Sequence, residues 1–235
     1  MKPISFVLAV GAAALVVAGA SRPTRASHGN PDIPLEIAKI FWEYNSSAED
    51  LGVQVSLDGE DWKSLDIKNP GGHVIFSVRG RGPYQELGLT ELFFEGAEPA
   101  LSEVPLDELL AKFPEGDYLF AGKTVDGVDI TALAAFSHAI PAAPVVAVEN
   151  DSVDHLRISW GAVTGHPPGF PDEPIDVVAY QVLVDPYQVI VPASVHSVTV
   201  TPEFVATLAA GTHPFEVLAI DRSGNQTITE GTFTK

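Results

Sequence analysis

The 235-residue sequence contains no cysteine. This absence excludes disulfides, thiolate metal ligands, a cysteine nucleophile and a lipid-modified N-terminal cysteine. Stability must therefore come from packed hydrophobic cores. Because 46% of the residues are hydrophobic, the chain has enough apolar material for one large domain or two ordinary ones.

Basic residues are scarce, since 13 Lys and Arg stand against 31 Asp and Glu and give a formal net charge of −18. A field of this sign repels phosphate backbones and anionic lipid surfaces, so we expect no nucleic acid partner. The acidity is typical of a soluble exported surface. Its alternative interpretation is the binding of divalent cations.

The sequence also lacks the motifs of common catalytic sites. It has no His-Glu-x-x-His, no Gly-x-Ser-x-Gly, no phosphate loop and no dinucleotide-binding glycine pattern, and its seven histidines are scattered. We therefore predict no catalytic residues, no cofactor and no metal site. The paired carboxylates of a glycoside hydrolase follow no such motif, so a secreted carbohydrate-active hydrolase, or its glycan-binding accessory subunit, stays the alternative.

Long apolar runs are confined to the N-terminus. Lys2 precedes an apolar run over residues 4–17, and small residues follow up to Ala20. This order is typical of a secretory signal peptide, and the run is shorter than a membrane-spanning helix. We predict cleavage after residue 20, export to the periplasm or the extracellular space, and no stable membrane insertion afterwards. Residues 21–34, rich in Pro and Ser, predict a flexible leader.

Much of the following sequence alternates apolar and polar residues with a period of two, as half-buried strands do. Residues 53–58 and 74–79 show this pattern, and Asp126-Gly127 predicts a hairpin turn. The prolines and leucines of residues 105–114 predict one short helix, whereas residues 80–88 predict a loop. The pattern as a whole predicts an all-β sandwich domain over residues 35–141.

A joint rich in Pro and Ala at residues 139–144 separates this domain from a second β unit, residues 142–235. The second unit resembles a fibronectin type III domain, and its segments FEVLAID and SGNQT resemble the bacterial form. The resemblance implies an immunoglobulin-like sandwich. His213-Pro214 replaces the corner tyrosine that is usual in the family. The residues expected in the core of this sandwich are Trp160, Tyr180, Leu208, Phe215 and Val217.

The first unit contains the segments EYNSSAEDLGVQVSLDGEDW and FPEGDYLFAGKTVDG. With these it resembles the leading β domain of uncharacterised secreted bacterial proteins that pair it with a type III domain, a resemblance that implies no activity. Together the two tandem sandwiches predict a secreted, non-enzymatic binding, interaction or adhesion protein whose partner is an unknown protein or glycan. The last hairpin, with its turn at Gly224-Asn225, predicts either an outward loop where contacts are presented or a simple turn.

Three aromatic residues are candidates for stacking on a sugar ring, and the alternative for each is that it covers an end of a sandwich. They are Trp62, Tyr84 and Phe170. Two acidic segments predict either ordinary turns, one of them a hairpin at Asp58-Gly59, or calcium loops. Their residues are Asp58, Glu60 and Asp61, and then Glu149, Asn150, Asp151 and Asp154.

Overall fold

The computed structural model describes residues 32–152 and 155–235. The predicted signal peptide lies outside this range, as does Asp154. Within it, no helix is both long enough and apolar enough to span a bilayer. The predicted leader ends earlier than expected, because Ile33–Pro34 already forms a strand and Leu35 donates a backbone hydrogen bond to the carbonyl oxygen of Thr131 at 3.2 Å.

The fold is all-β, with 14 strands and three helices of five to seven residues in the described ranges. The elements of the first unit are β1 (Ile33–Pro34), β2 (Ile37–Asn45), β3 (Asp50–Lys68), β4 (Val74–Arg79), α1 (Pro83–Leu87), β5 (Leu89–Glu95), α2 (Leu106–Lys112), β6 (Gly116–Thr124) and β7 (Asp129–Phe136). Those of the second unit are β8 (Val146–Ser152), β9 (His155–Trp160), β10 (Val177–Val184), β11 (Tyr187–Pro192), β12 (Ser197–Val200), α3 (Pro202–Thr207), β13 (Thr212–Asp221) and β14 (Gln226–Thr234).

The strand β3 organises the first unit. Its first half pairs with β2 and β5, its second half pairs with β4 and β6, and the register shifts between Asp58 and Trp62. The predicted hairpin turn at Asp58-Gly59 is therefore wrong, because the chain continues as a strand. The glycine serves close packing instead: a Cβ at Gly59 would lie 2.8 Å from the Leu35 side chain.

Both halves of β3 contribute to one core, together with β2, β6, β7 and Leu109 of α2. The predicted helix is confirmed by α2. The hairpin at Asp126-Gly127 is confirmed too, with Gly127 at a φ of +85° between β6 and β7. The loop predicted for residues 80–88 is wrong, since Pro83 begins the single turn of α1, where a missing N–H costs nothing.

The second unit is a sandwich of two sheets. One has the order β12-β9-β8, and the other contains β14, β13, β10 and β11. The core between them contains Trp160, Tyr180, Phe215 and Val217, with Leu208 packed against it. The corner that lacks a tyrosine is held by His213, whose Nε2 lies 2.8 Å from the carbonyl oxygen of Ala209.

The two units share a sheet. Its order is β1-β7-β6-β3-β2-β14-β13-β10-β11, because β14 pairs in parallel with β2. The cores stay separate, except that Phe170 of the second unit belongs to the core of the first. The division of the chain into two domains near residues 139–144 and the independent folding of residues 142–235 stay predictions.

Candidate functional site

Asn225, at the turn of the last hairpin, is buried between the two units. Asn225, only 1% exposed, accepts a hydrogen bond from Trp42 N at 2.8 Å through its Oδ1. Its Nδ2 donates to the carbonyl oxygens of Ser137 at 2.8 Å and Ala139 at 3.0 Å. The prediction of an outward contact loop is wrong for Asn225, because three hydrogen bonds anchor its side chain to the first unit.

The joint between the units is further fixed along β14. Ser46 N donates to the carbonyl oxygen of Ile228 at 3.0 Å, and Glu230 N donates to Ser47 Oγ at 2.9 Å. On the same strand, the hydroxyl of Thr229 donates to the carbonyl oxygen of Pro144 at 2.9 Å. The Pro- and Ala-rich segment that separates the units in sequence therefore lies along β14.

Three glutamates meet beside this joint. Glu43 of β2, Glu95 of β5 and Glu98 after β5 place carboxylate oxygens within 4.8 Å of one another. The pairing of β3 with β2 and β5 brings Glu43 and Glu95 together. Glu43 lies opposite Gly52 of β3, and Glu95 lies opposite Gln54, two residues further along β3. Glu98 lies over Gly52, where a Cβ would come within 2.5 Å of the Glu98 side chain. The glycine therefore makes room for the third carboxylate.

Two of the glutamates, Glu43 and Glu98, are held largely in their protonated form. Burial raises the pKa of Glu43 to about 8, the charge of Glu95 adds to this rise, and a hydrogen bond from Gln226 opposes it. Burial also raises the pKa of Glu98 well above its ordinary value, helped by a hydrogen bond and by charge repulsion from Glu95. At neutral pH Glu43 and Glu98 therefore largely keep their protons.

Further carboxylates surround these three. Burial raises the pKa of Asp50, with repulsion from Glu230 and Glu95, and burial raises the pKa of Glu216, again with repulsion from Glu230. Among the described residues, no Lys or Arg forms an ion pair with any of these groups. We name the whole set the acidic joint. It consists of Glu43, Asp50, Glu95, Glu98, Glu216 and Glu230.

A second acidic contact lies at the other side of the joint. The hydroxyl of Ser137 donates to Glu173 Oε2 at 3.3 Å, and His138 N donates to Glu115 Oε1 at 2.6 Å. Burial and the neighbouring Glu115 raise the pKa of Glu173. Because Glu173 belongs to the second unit and the other residues to the first, this contact also joins the two.

The chemistry open to the acidic joint is the binding of protons or of a hard cation. Three carboxylates within reach of one point suit a divalent ion that prefers oxygen ligands. The sequence analysis named none of these residues. Glu43 and Glu98 lie 55 positions apart, so no spacing motif links them, and only the strand register reveals the cluster. The segment containing Asp58, Glu60 and Asp61 lies in β3 and brings no such group together among the described residues.

The three sugar-stacking candidates lie in different environments. Trp62 is 0% exposed in the first core, and Phe170, 9% exposed, packs 4.8 Å from the ring of Tyr44. The Trp62 ring has no face that a sugar could reach, so this candidate is corrected to a core residue. Phe170 packs in the first core at the edge of an open groove, and its role in sugar binding stays a prediction. Tyr84 is 61% exposed on α1 and remains a candidate.

An open groove of about 460 Å³ lies between α2 and the loop that carries Phe170. One charged residue lines it among apolar and glycine neighbours, so it lacks the convergent polar groups expected of an active site. Its lining residues are Leu106, Asp107, Leu110, Gly169, Phe170 and Pro171.

Comparisons with known proteins find similarity at the level of structure. A segment of two fibronectin type III domains from chicken tenascin matches with 10% identity and a TM-score of 0.30, over 86% of this chain and 99% of that chain. A 1.5-MDa bacterial ice-binding adhesin matches with 15% identity and a TM-score of 0.26, over 87% of this chain and 65% of that chain. The spore cortex lytic enzyme SleM of Clostridium perfringens matches with 14% identity and a TM-score of 0.32, over 40% of this chain and 28% of that chain.

No family model and no curated protein matches the chain. At identities of 10 to 15% and TM-scores of 0.26 to 0.32, the structural likenesses assign neither a family nor an activity. Function has to be argued from the residues of this chain.

Proposed function

We propose that this protein is an exported, non-catalytic binding protein of the adhesion type, in which the second unit supports the first and the first contacts a protein or glycan partner. The observation that carries the proposal is the shared sheet, in which β14 pairs with β2. This pairing, with the buried Asn225, holds the two units in one orientation. A surface that is already ordered loses less conformational entropy on binding, which favours a binding role.

The helix α1 is the part of the first unit best suited to contact a partner. It exposes Tyr84 by 61% and Leu87 by 76%, and residues three positions apart lie on the same side of a helix. Tyrosine is enriched at binding interfaces because its ring offers a large apolar surface with a polar end. We assign Tyr84 as the central contact residue.

Binding of the mature chain to a glycan array and to a panel of surface proteins tests this assignment. Tyr84→Ala is expected to weaken binding by about tenfold or more, the usual effect of removing an aromatic anchor. Leu133→Ala is the matched control, because Leu133 on β7 has the same exposure of 61%. Equal binding by both variants would contradict the role of Tyr84, and no binding to either panel would contradict the function.

A hydrolase is the second candidate function, and the acidic joint is the observation that favours it. Glu98 has a raised pKa and lies within 4.8 Å of Glu95, an arrangement that resembles the acid and its partner in a glycoside hydrolase. Turnover of polysaccharides by the mature chain tests this candidate. Turnover abolished by Glu98→Gln and retained by Glu91→Gln, an exposed change on β5, would replace the binding proposal.

A further inference from the structure

The acidic joint draws its carboxylates from both units. Glu43, Asp50, Glu95 and Glu98 belong to the first unit, whereas Glu216 of β13 and Glu230 of β14 belong to the second. Coulombic repulsion reaches across the boundary, because Glu216 raises the pKa of Glu43 and Glu230 raises that of Asp50. Ionisation of a carboxyl group in one unit therefore raises the pKa of a carboxyl group in the other.

Two of these carboxylates, Glu43 and Glu230, accept hydrogen bonds that join the two units. Gln226 pairs with Glu43 in the β14–β2 ladder, and its side-chain Nε2 donates to Glu43 Oε2. Asn45 of β2 donates from Nδ2 to Glu230 Oε1 at 2.8 Å. The carboxylates that repel one another thus lie in the same stretch of sheet as the hydrogen bonds that join the units.

We propose that the joint between the two units is a pH-sensitive coupling, which holds β14 against β2 while Glu43 and Glu98 keep their protons and loosens when they ionise beside the other carboxylates. This inference concerns how the units are joined and is independent of the partner that the protein binds. It rests on the convergence of six carboxylates from β2, β3, β5, β13, β14 and the segment after β5, with no Lys or Arg among the described residues paired to them.

The direction of the pH effect follows from linkage. A carboxyl whose pKa is higher in the joined state binds its proton more tightly there, so the stabilisation is present at acidic pH and is lost as pH rises through the raised value. For Glu43 this loss extends from about pH 4.5 to about pH 8. The groups that face it are Asp50 of β3, Glu95 of β5, Glu98 after β5, Glu216 of β13 and Gln226 of β14. Glu173, whose pKa is raised by burial and by the neighbouring Glu115, acts in the same direction at a second contact between the units, where the charge of His138 opposes the rise.

Amide hydrogen exchange of the full mature chain between pH 5.5 and pH 8.5, in the presence of a chelator, tests the coupling. Protection factors corrected for intrinsic exchange are compared between the β14–β2 ladder, residues 43–45 and 226–228, and the β6–β7 hairpin of the same molecules. Protection of the ladder is expected to fall by about tenfold or more as pH rises, whereas protection of the hairpin stays constant.

Two variants separate the coupling from general destabilisation. Glu43→Gln with Glu98→Gln removes the ionisable groups and keeps their shape, so the ladder should lose most of its pH dependence. Glu91→Gln, an exposed change on β5, should follow the unaltered protein. A ladder whose protection in the unaltered protein is independent of pH would overturn the proposal. The proposal would also be overturned if the pH dependence of ladder protection persisted undiminished in Glu98→Gln and in the double variant.

Discussion

Replacing Asn225 by alanine tests the joint most directly. The side chain is 1% exposed and makes three hydrogen bonds, two at 2.8 Å and one at 3.0 Å. The substitution leaves one N–H, on Trp42, and two carbonyl oxygens, on Ser137 and Ala139, without these partners. Each buried polar group left unsatisfied costs about 1 to 3 kcal/mol, and partial relaxation reduces the sum, so we expect a loss of about 3 to 5 kcal/mol in the free energy of unfolding.

Urea denaturation followed by circular dichroism measures this loss as a shift of the midpoint. Asn225→Asp keeps the acceptor for Trp42 and removes the two donors, so it should destabilise the protein as well. Asn69→Ala is the control, because Asn69 makes a comparable bond to His73 N at 3.0 Å in an exposed turn, and its loss should cost less than about 1 kcal/mol. A loss below about 1 kcal/mol for Asn225→Ala would refute the account of the joint.

Three further predictions follow. Trp160→Ala should lower the free energy of unfolding by about 3 to 5 kcal/mol in urea denaturation, because it empties a buried aromatic site in the second core. Because burial raises the pKa of Glu43 to about 8, loss of its proton should lower the free energy of unfolding by about 3 kcal/mol between pH 5.5 and pH 8.5, as measured by thermal melts at a series of pH values. Calcium should leave the melting temperature unchanged below pH 7, since protons occupy the joint, and a rise abolished by Glu98→Gln would contradict this.

The sequence predicted the fold where the physical signal is local. Alternation with a period of two identifies strands because neighbouring side chains point to opposite faces, and Asp126-Gly127 identifies a turn because glycine accepts the φ of +85° found at Gly127. The short helix α2 was predicted from its flanking prolines and its apolar face. The resemblance to a type III domain led to Trp160 and Phe215, both of which are in the second core.

The errors arose where a local signal has two physical explanations. Glycine at position 59 suits a turn, but it equally allows the close approach of Leu35 to a strand that continues. Trp62 follows acidic residues and therefore suggested an exposed ring, yet it lies on the inner face of β3 because of the register shift after Asp58. Neighbouring side chains of a strand point to opposite faces of the sheet. A register shift of one residue therefore moves the following side chains from the solvent face to the core face.

The acidic joint could not be derived from the sequence for a different reason. Its residues come from five strands and a connecting segment in both units, and the pairing of β14 with β2 is a contact between residues more than 180 positions apart. No composition or spacing distinguishes Glu43 from the other acidic residues of a chain with 31 of them. What distinguishes it is burial against other carboxylates, which is a property of the assembled sheet. Among the described residues no Lys or Arg pairs with Glu43 or Glu98, so burial keeps these groups protonated, and the net charge at the joint is set by pH as much as by sequence.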